Sequence, residues 1–225
     1  MAGIARDKTE STYHRLKELV VNYRFRPGEP LSPMSIADRL HVSATPVREA
    51  LARLHGEDLV DLTSNRGFFA KTLNEKKMSD LYEFAFQISI HALEHRRGEF
   101  IMEMIRPENS IVRGGVLANH ETDETLVCFA KFIEGLYIHI AALSGNGVML
   151  NSIRNFNDQT RFVRLIYLET ENNLDEITLD MTALISALER QDVTAAMVNL
   201  RHQRDKKLAR MNDLVREGIA RSLGV

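Results

Sequence analysis

Tryptophan is absent from this chain, cysteine occurs once (Cys128), and only 5 of the 225 residues are proline. A lone cysteine excludes an intramolecular disulfide framework and fits a reducing compartment. No apolar run approaches the roughly 18 residues that a membrane-spanning helix needs. The opening MAGIARDKTE lacks the apolar core of a secretory signal. A cytoplasmic protein with no membrane partner is therefore expected. A glycine-rich phosphate loop, a Gly-x-Ser-x-Gly elbow and a clustered His/Cys/carboxylate metal set are also missing, which argues against an enzyme. A formal net charge of -2 excludes a protein that coats nucleic acid over its whole surface.

What is present is unevenly distributed. The composition, 44% hydrophobic and 27% charged, is that of a globular chain long enough for two small domains. Pro27, Pro30, Pro33 and Pro46 all lie near the N-terminus, and only Pro107 follows. Residues 1–74 carry 11 Lys/Arg against 9 Asp/Glu, and residues 75–225 carry 18 against 22. Both shifts place a boundary near Thr72–Lys76, giving domains over 1–74 and 75–225.

In the first domain, STYHRLKELVVNYRF has Tyr13, Leu16, Leu19, Val20 and Tyr23 at helical spacing. RPGEPLS is a turn. SPMSIADRL reads as a short helix with Ser32 as N-cap, Pro33 at the first helical position and Met34, Ala37 and Leu40 inward. In VSATPVREAL, Thr45 is placed as an N-cap and Pro46 at N1, where its missing N–H costs nothing. The proline then marks a helix start, with Val47, Ala50, Leu51 and Leu54 inward and Thr45, Arg48, Glu49, Ala52 and Arg53 on the other side. Gly56 ends that helix. LVDL and GFFAKTL follow as β-prone runs around TSNR, a hairpin with Asn65 and Gly67 able to take turn conformations.

Two helices, a turn, a third helix and a two-stranded wing make a winged helix-turn-helix. Such a recognition helix enters the major groove by its N-terminal end, where free N–H groups point at phosphate. Arg48 in the first turn can reach a guanine edge in bidentate fashion, and Arg66 at the wing tip can enter the minor groove or meet phosphate. The candidate DNA-binding residues are Ser43, Thr45, Arg48, Glu49, Arg53, Asn65, Arg66 and Gly67. The alternative is a protein-interaction module on which Arg48 and Arg53 are only solvated.

The run FRPGEPLSPMSIADRLHVSATPVREALARLHGEDLVDLTSNRGFFA closely resembles the DNA-binding domain of GntR-family bacterial transcription regulators. One departure is Ala44, where that family often has an arginine; if that arginine touches DNA, one contact is missing here. The resemblance implies a bacterial regulator, such as a repressor, that binds double-stranded DNA and is nucleoid-associated when bound.

Residues 75–225 read as nearly all helix: NEKKMSDLYEFAFQISIHALEHRRGE with Met78, Leu81, Phe84, Ala85, Ile88 and Ala92 inward, DETLVCFAKFIEGLYIHIAALSGN, GVMLNSIRNFNDQTRFVRLIYLE, DEITLDMTALISALERQD and VTAAMVNLRHQRDKKLARMNDLVREGI. Such a bundle can enclose a ligand cavity. Cys128, in an apolar run, is expected as an inert buried thiol. His91 and His95 stand at i, i+4 without a clear third ligand and read as surface residues. Arg154, Arg161 and Arg164 form one stripe, read as solvated, with Arg161 the one that could hold a carboxylate.

Following the GntR-like reader, this layout resembles the FCD (FadR-like) subfamily, chiefly in SGN and ISALERQDVTAAMVNL. That resemblance implies an effector-binding and dimerising domain, in many members holding a divalent metal through an aspartate and three histidines. Here those four positions fall on Ile133, Tyr137, Met181 and Gln203, none a usual metal ligand. A common arginine and glutamate fall on Ala85 and Ser89. Shifting the alignment recovers Glu134, His139 or His202 singly, never the set.

The expectation is thus a mainly α protein: an N-terminal winged helix-turn-helix with a small β-hairpin wing, then an all-α bundle. It acts as a homodimer on a near-palindromic operator, without a metal or other cofactor. A small effector sits in an apolar cavity with at most one basic anchor, near Tyr137, Arg161, Arg164, Met181 and Gln203. The alternative is a constitutive dimeric DNA-binding protein whose helical domain has no effector.

Overall fold

The structure, a computed structural model, describes residues 2–96, 100, 112–113, 116–117, 123–170 and 174–224. Its order is α1 (Ala2–Val21), α2 (Pro33–Leu40), α3 (Ala44–Gly56), β1 (Val60–Thr63), β2 (Gly67–Ala70), α4 (Glu75–Glu94), β3 (Val112–Arg113), β4 (Val116–Leu117), α5 (Asp123–Ala142), α6 (Gly147–Thr170), α7 (Leu174–Glu189) and α8 (Val193–Leu223). The fold is mainly helical with a small antiparallel hairpin after the first three helices. Two compact units are present: Met1–Asn74 with Val215–Val225, and Glu75–Leu214. None of the described helices is long and apolar enough to cross a membrane.

The first unit forms around α3, whose Val47, Ala50, Leu51 and Leu54 are buried as their spacing predicts. They pack with Tyr13 and Leu16 of α1, Ile36, Ala37 and Leu40 of α2, and Val60 of β1. On α2, Ser32 is the N-cap, its hydroxyl accepting from the Ser35 N–H at 3.4 Å, and Pro33 opens the helix. The inward stripe is Ile36, Ala37 and Leu40, not the expected Met34, which is 69% exposed. Centring the face between Ile36 and Leu40, at about 100° per residue, turns Met34 more than about 90° away. Helix α1 begins well before Ser11 and ends at Val21; Tyr23, expected on its stripe, lies beyond it with positive φ.

A polar staple ties α1 to the C-terminal half of α3. Tyr13 donates its hydroxyl to Glu57 at 2.8 Å, Lys17 Nζ meets Glu57 at 2.9 Å, and Arg53 reaches Glu57 at 3.3 Å and Glu10 at 2.9 Å. The Arg53 guanidinium lies 3.5 Å from the centroid of the Tyr13 ring. Burial alone would raise the Glu57 pKa, but hydrogen bonds from Lys17 and Tyr13 and the charges of Lys17 and Arg53 outweigh it and hold the carboxyl below its ordinary range.

In the second unit α5 and α6 form an antiparallel hairpin, with α4 packed on both. The Ser144-Gly145-Asn146 turn has local causes. Ser144 Oγ donates to the Ala141 carbonyl at 2.7 Å, Gly145 takes positive φ, and Asn146 Oδ1 caps α6 by accepting from the Val148 N–H at 2.9 Å. The buried face of α4 is Met78, Tyr82, Ala85, Phe86, Ile88, Ser89, Ala92 and Leu93. Phe84, expected inward, is 50% exposed, because the face turns toward Tyr82 and Ser89. The expected extension of α4 over residues 97–99 lies outside the described residues. Cys128 is only half-buried rather than sunk in the core.

The interior of this unit is not uniformly apolar. Glu134 of α5 is buried and accepts from Arg164 Nη1 at 2.7 Å and from Arg161 Nη2 at 3.2 Å. Arg164, 1% exposed, also donates to Asn157 Oδ1 at 3.2 Å and Thr160 Oγ1 at 2.9 Å, while Asn157 Nδ2 returns to the Glu134 carbonyl at 3.1 Å. Each buried charge is paired and hydrogen-bonded, the condition under which charges survive away from water.

Two predictions follow from these clusters. Glu57→Gln should lower stability by about 1–3 kcal/mol at neutral pH. Because the Glu57 pKa is depressed in the folded chain, its stabilisation is present above the unfolded value and is lost as pH falls through the folded one. Urea melts from neutral pH to the acid limb should therefore show the variant converging on the parent, and parallel curves would refute it. Glu134→Gln leaves two guanidiniums in the interior and should cost about 3–5 kcal/mol. The double variant Glu134→Leu/Arg164→Met should cost less than its two single changes summed; additivity in a urea-denaturation cycle would show that the pair is not coupled.

Candidate nucleic-acid interface and the interior of the helical unit

Three features present the first turn of α3. Helix α2 stops at His41, which takes a left-handed conformation as the Val42 N–H bonds back to the Ala37 carbonyl at 3.0 Å. Ser43 then runs extended (φ -80, ψ 163) into α3. Helix α3 begins at Ala44, so Ser43, not the expected Thr45, is the N-cap, and its side chain makes no cap hydrogen bond. The reversal at His41 and the extended Ser43 have already turned the chain, which moves the start forward. Thr45 is exposed in the first turn, and Pro46 follows it where the first-turn N–H groups have no intrahelical partner anyway. The first-turn N–H groups are therefore not taken up by the Ser43 hydroxyl.

Ser43, Thr45, Arg48 and Glu49 are all exposed, opposite the buried Val47–Ala50–Leu51 face. Arg48 makes no ion pair or side-chain hydrogen bond among the described residues. Arg53, five residues on, is spent on the staple to Glu10, Glu57 and Tyr13. The two arginines thus have different surroundings on one helix.

The wing pairs Val60 with Ala70 and Thr63 with Gly67. Its tip closes with the Arg66 N–H on the Thr63 carbonyl at 3.0 Å, with positive φ at Asn65 and Gly67. Asn65, Arg66 and Gly67 are exposed, and the Arg66 guanidinium lies 5.3 Å from the centroid of the Phe69 ring. The segment before α2 runs beside β2. The Leu31 N–H bonds the Phe68 carbonyl at 2.8 Å and the Ala70 N–H bonds the Glu29 carbonyl at 2.9 Å, so the wing is fixed to the turn that leads into α2.

In the helical unit, Tyr137 and Gln203 border one small cavity together with Tyr82, Phe86 and Phe156. Its volume is about 10 Å³, room for a single water molecule. Met181 is buried on α7. Arg161 and Arg164 both face Glu134, so the expected solvated stripe survives only at Arg154, which is exposed; Arg164 is the fully buried member. The expected apolar interior with at most one basic anchor is replaced by two basic groups already neutralised. Desolvation, and then the neighbouring Tyr82, push the Tyr137 hydroxyl up to about 12. Sequence reasoning missed the Glu134, Asn157 and Thr160 set. Its one legible signal was a single acid inside the apolar run CFAKFIEGLYIHIA.

The four positions that correspond to the subfamily's metal ligands do not suit a divalent ion. Ile133 and Met181 are buried and offer no hard donor, Gln203 donates its amide to Asn199 at 2.5 Å, and Tyr137 keeps its proton. Among the described residues a His/carboxylate group lies elsewhere, against the sequence expectation of none. Donor atoms of Glu176, Asp180 and His202 lie within 4.8 Å of one another. Lys206 already pairs with both carboxylates, reaching Asp180 at 3.1 Å and closing on Glu176. His91 and His95 are exposed and stacked, ring centroids 4.3 Å apart.

Residues 8–70 match the family described as bacterial regulatory proteins, gntR family. The chain is 32% identical over 184 residues to the Nta operon transcriptional regulator of Aminobacter aminovorans, covering 80% of this chain and 84% of that protein. It is 21% identical over 187 residues to the HTH-type transcriptional regulator YdhC of Bacillus subtilis, covering 82% of each. Among solved structures, a GntR transcriptional regulator from Rhodococcus sp. RHA1 superposes with a TM-score of 0.71 at 18% identity, over 92% of this chain and 98% of that one. Escherichia coli McbR/YncC superposes with a TM-score of 0.62 at 18% identity, over 91% and 97%. With the helix-turn-helix and wing in place, these matches make the chain a member of the gntR family of bacterial regulatory proteins, a transcription regulator that binds DNA.

Proposed function

We propose that the chain is a homodimeric, sequence-specific repressor acting in the cytoplasm on nucleoid DNA. Residues 1–74 read a near-palindromic operator, and residues 75–225 dimerise, sense a small effector and modulate that binding. The observation that carries the reading is Arg48: exposed near the N-terminal end of α3, without an ion pair or side-chain hydrogen bond among the described residues, beside Ser43, Thr45 and Glu49. The exposed Asn65–Arg66–Gly67 tip extends the same reader to a second contact. A two-fold protein reads two half-sites, hence the near-palindrome. The FCD-like helical unit supplies the place for an effector, and a ligand acts on DNA binding only if it favours one arrangement of the two readers over another.

A second reading, a constitutive dimeric regulator with no effector, is favoured by the small size of the interior cavity, about 10 Å³. A thermal-shift screen of metabolites on the full chain, run with and without divalent metals, separates the two. Ligand-dependent stabilisation that also alters operator affinity supports the first reading, and its absence supports the second.

Arg48→Ala should weaken binding to an operator selected from a random duplex pool by about 1–3 kcal/mol and relax preference at one base pair per half-site. Mobility-shift titrations with unchanged affinity and preference would remove Arg48 from the reading face. Arg66→Ala should weaken binding to all sequences alike and lower the slope of log K against log salt by about 1. Equal slopes for parent and variant would take phosphate contact away from the wing.

A further inference from the structure

We propose that Glu49 reads a cytosine in each half-site by accepting a hydrogen bond from its N4 amino group, and so fixes a base pair other than the one reached by Arg48. The inference rests on the DNA-reading role proposed above and narrows it to one base.

Glu49 stands where the reading helix faces outward. The buried face of α3 is Val47, Ala50, Leu51 and Leu54. At about 100° per residue, Glu49 lies about 30° to one side of the direction opposite that face, and Arg48 about 70° to the other. Thr45, four residues before Glu49, and Ala52, three after it, are short and exposed. The Glu49 carboxylate therefore reaches furthest along that line of the helix.

The acid is not committed within the chain. It makes no ion pair or side-chain hydrogen bond among the described residues. Its ordinary helical partner would be Arg53, four residues on. That guanidinium is held instead by Glu10 at 2.9 Å, by Glu57 at 3.3 Å and by the Tyr13 ring. Glu49 is also the sixth residue of α3, past the first turn in which the helix dipole favours an acid. On a surface that meets DNA, phosphate repels such a group whatever the sequence. A donor on a base edge is what offsets that repulsion.

The chemistry of the major groove selects the base. An ionised carboxylate only accepts hydrogen bonds. Guanine shows two acceptors, thymine an acceptor and a methyl group, and adenine a donor with an acceptor beside it. Cytosine alone shows a donor with no acceptor of its own. Arg48 and Glu49 leave the helix about 100° apart, so they reach different base pairs.

The test uses the full-length chain, Glu49→Gln and Glu49→Ala. Sites are selected from a random duplex pool with each protein, and mobility-shift titrations follow on single base-pair variants of the parent's site. The parent should hold a C·G pair in each half-site at which any replacement weakens binding at least about fivefold. A glutamine amide both donates and accepts, which suits adenine, so Glu49→Gln should move the preference at that pair to A·T. Glu49→Ala should lose preference at that pair alone. Unchanged preference in both variants, a changed preference only at a pair that is not C·G in the parent, or a lowered melting temperature with uniform weakening at every pair would each overturn the proposal. Arg48→Ala, titrated beside them, keeps the two readings distinguishable. If it loses preference at its own base pair while the Glu49 variants change nothing, the DNA-reading role stands and the assignment of Glu49 falls. If the parent selects no site, the sequence-specific reading falls and this inference with it.

Discussion

The Glu134 carboxylate, buried between Arg161 and Arg164, constrains the helical unit more than any other single group. Three charges cannot sit inside a bundle unless each finds its partners, so the positions of α5 and α6 are fixed by polar geometry as well as by apolar packing. Asn157 and Thr160 complete the set from the same face of α6 as Arg164, one helical turn or two away. The small cavity in the same unit is bordered by the aromatic rings of Tyr82, Phe86, Tyr137 and Phe156, the Gln203 amide and two cations of α8, Arg204 and Lys207.

The first unit solves a different problem, which is to hold a polar surface rigidly in place. Its core is continuous from Tyr13 through Leu51 to Val60, and each connection carries its own turn chemistry: Ser32 capping α2, His41 left-handed, Gly28, Asn65 and Gly67 at positive φ. Agreement between local preference and tertiary packing is why the helix-turn-helix and wing are legible in the residues alone. The hydrophobic spacing of Val47, Ala50, Leu51 and Leu54 predicts the buried face of α3, and TSNRG predicts the hairpin.

Legibility falls where polar groups are buried. The α4 face was misjudged at Phe84 because hydropathy ranks phenylalanine inward and Ser89 outward. The packed face instead takes Ser89, whose hydroxyl is satisfied by the Ala85 carbonyl at 2.8 Å. Arg164 was misjudged for the same reason: a periodic arginine stripe reads as solvated unless its acid is known, and Glu134 lies 30 residues away in sequence. The α3 start was misplaced by a short distance because a threonine before a proline is a strong cap signal, while the left-handed His41 that moved the start is not visible in composition. Glu176, Asp180 and His202 come together only when α7 meets α8, so no spacing rule could have grouped them.

Arg48 and Arg53 show how one helix divides its cations. Both are exposed on α3, and by residue type either could meet DNA. Arg53 sits in the last turns, where a positive charge complements the helix dipole and where Glu10, Glu57 and the Tyr13 ring surround it. Arg48, the fifth residue of α3, is exposed near its N-terminal end and meets no acid among the described residues. A cation without an internal partner gains most from an external anion or an acceptor-rich base edge, and the N-terminal end of a recognition helix is where such a partner arrives. The same contrast runs through the molecule. Glu134, Arg161 and Arg164 are satisfied internally and hold the fold, whereas Arg48 pairs with no acid among the described residues and stays available to a second molecule.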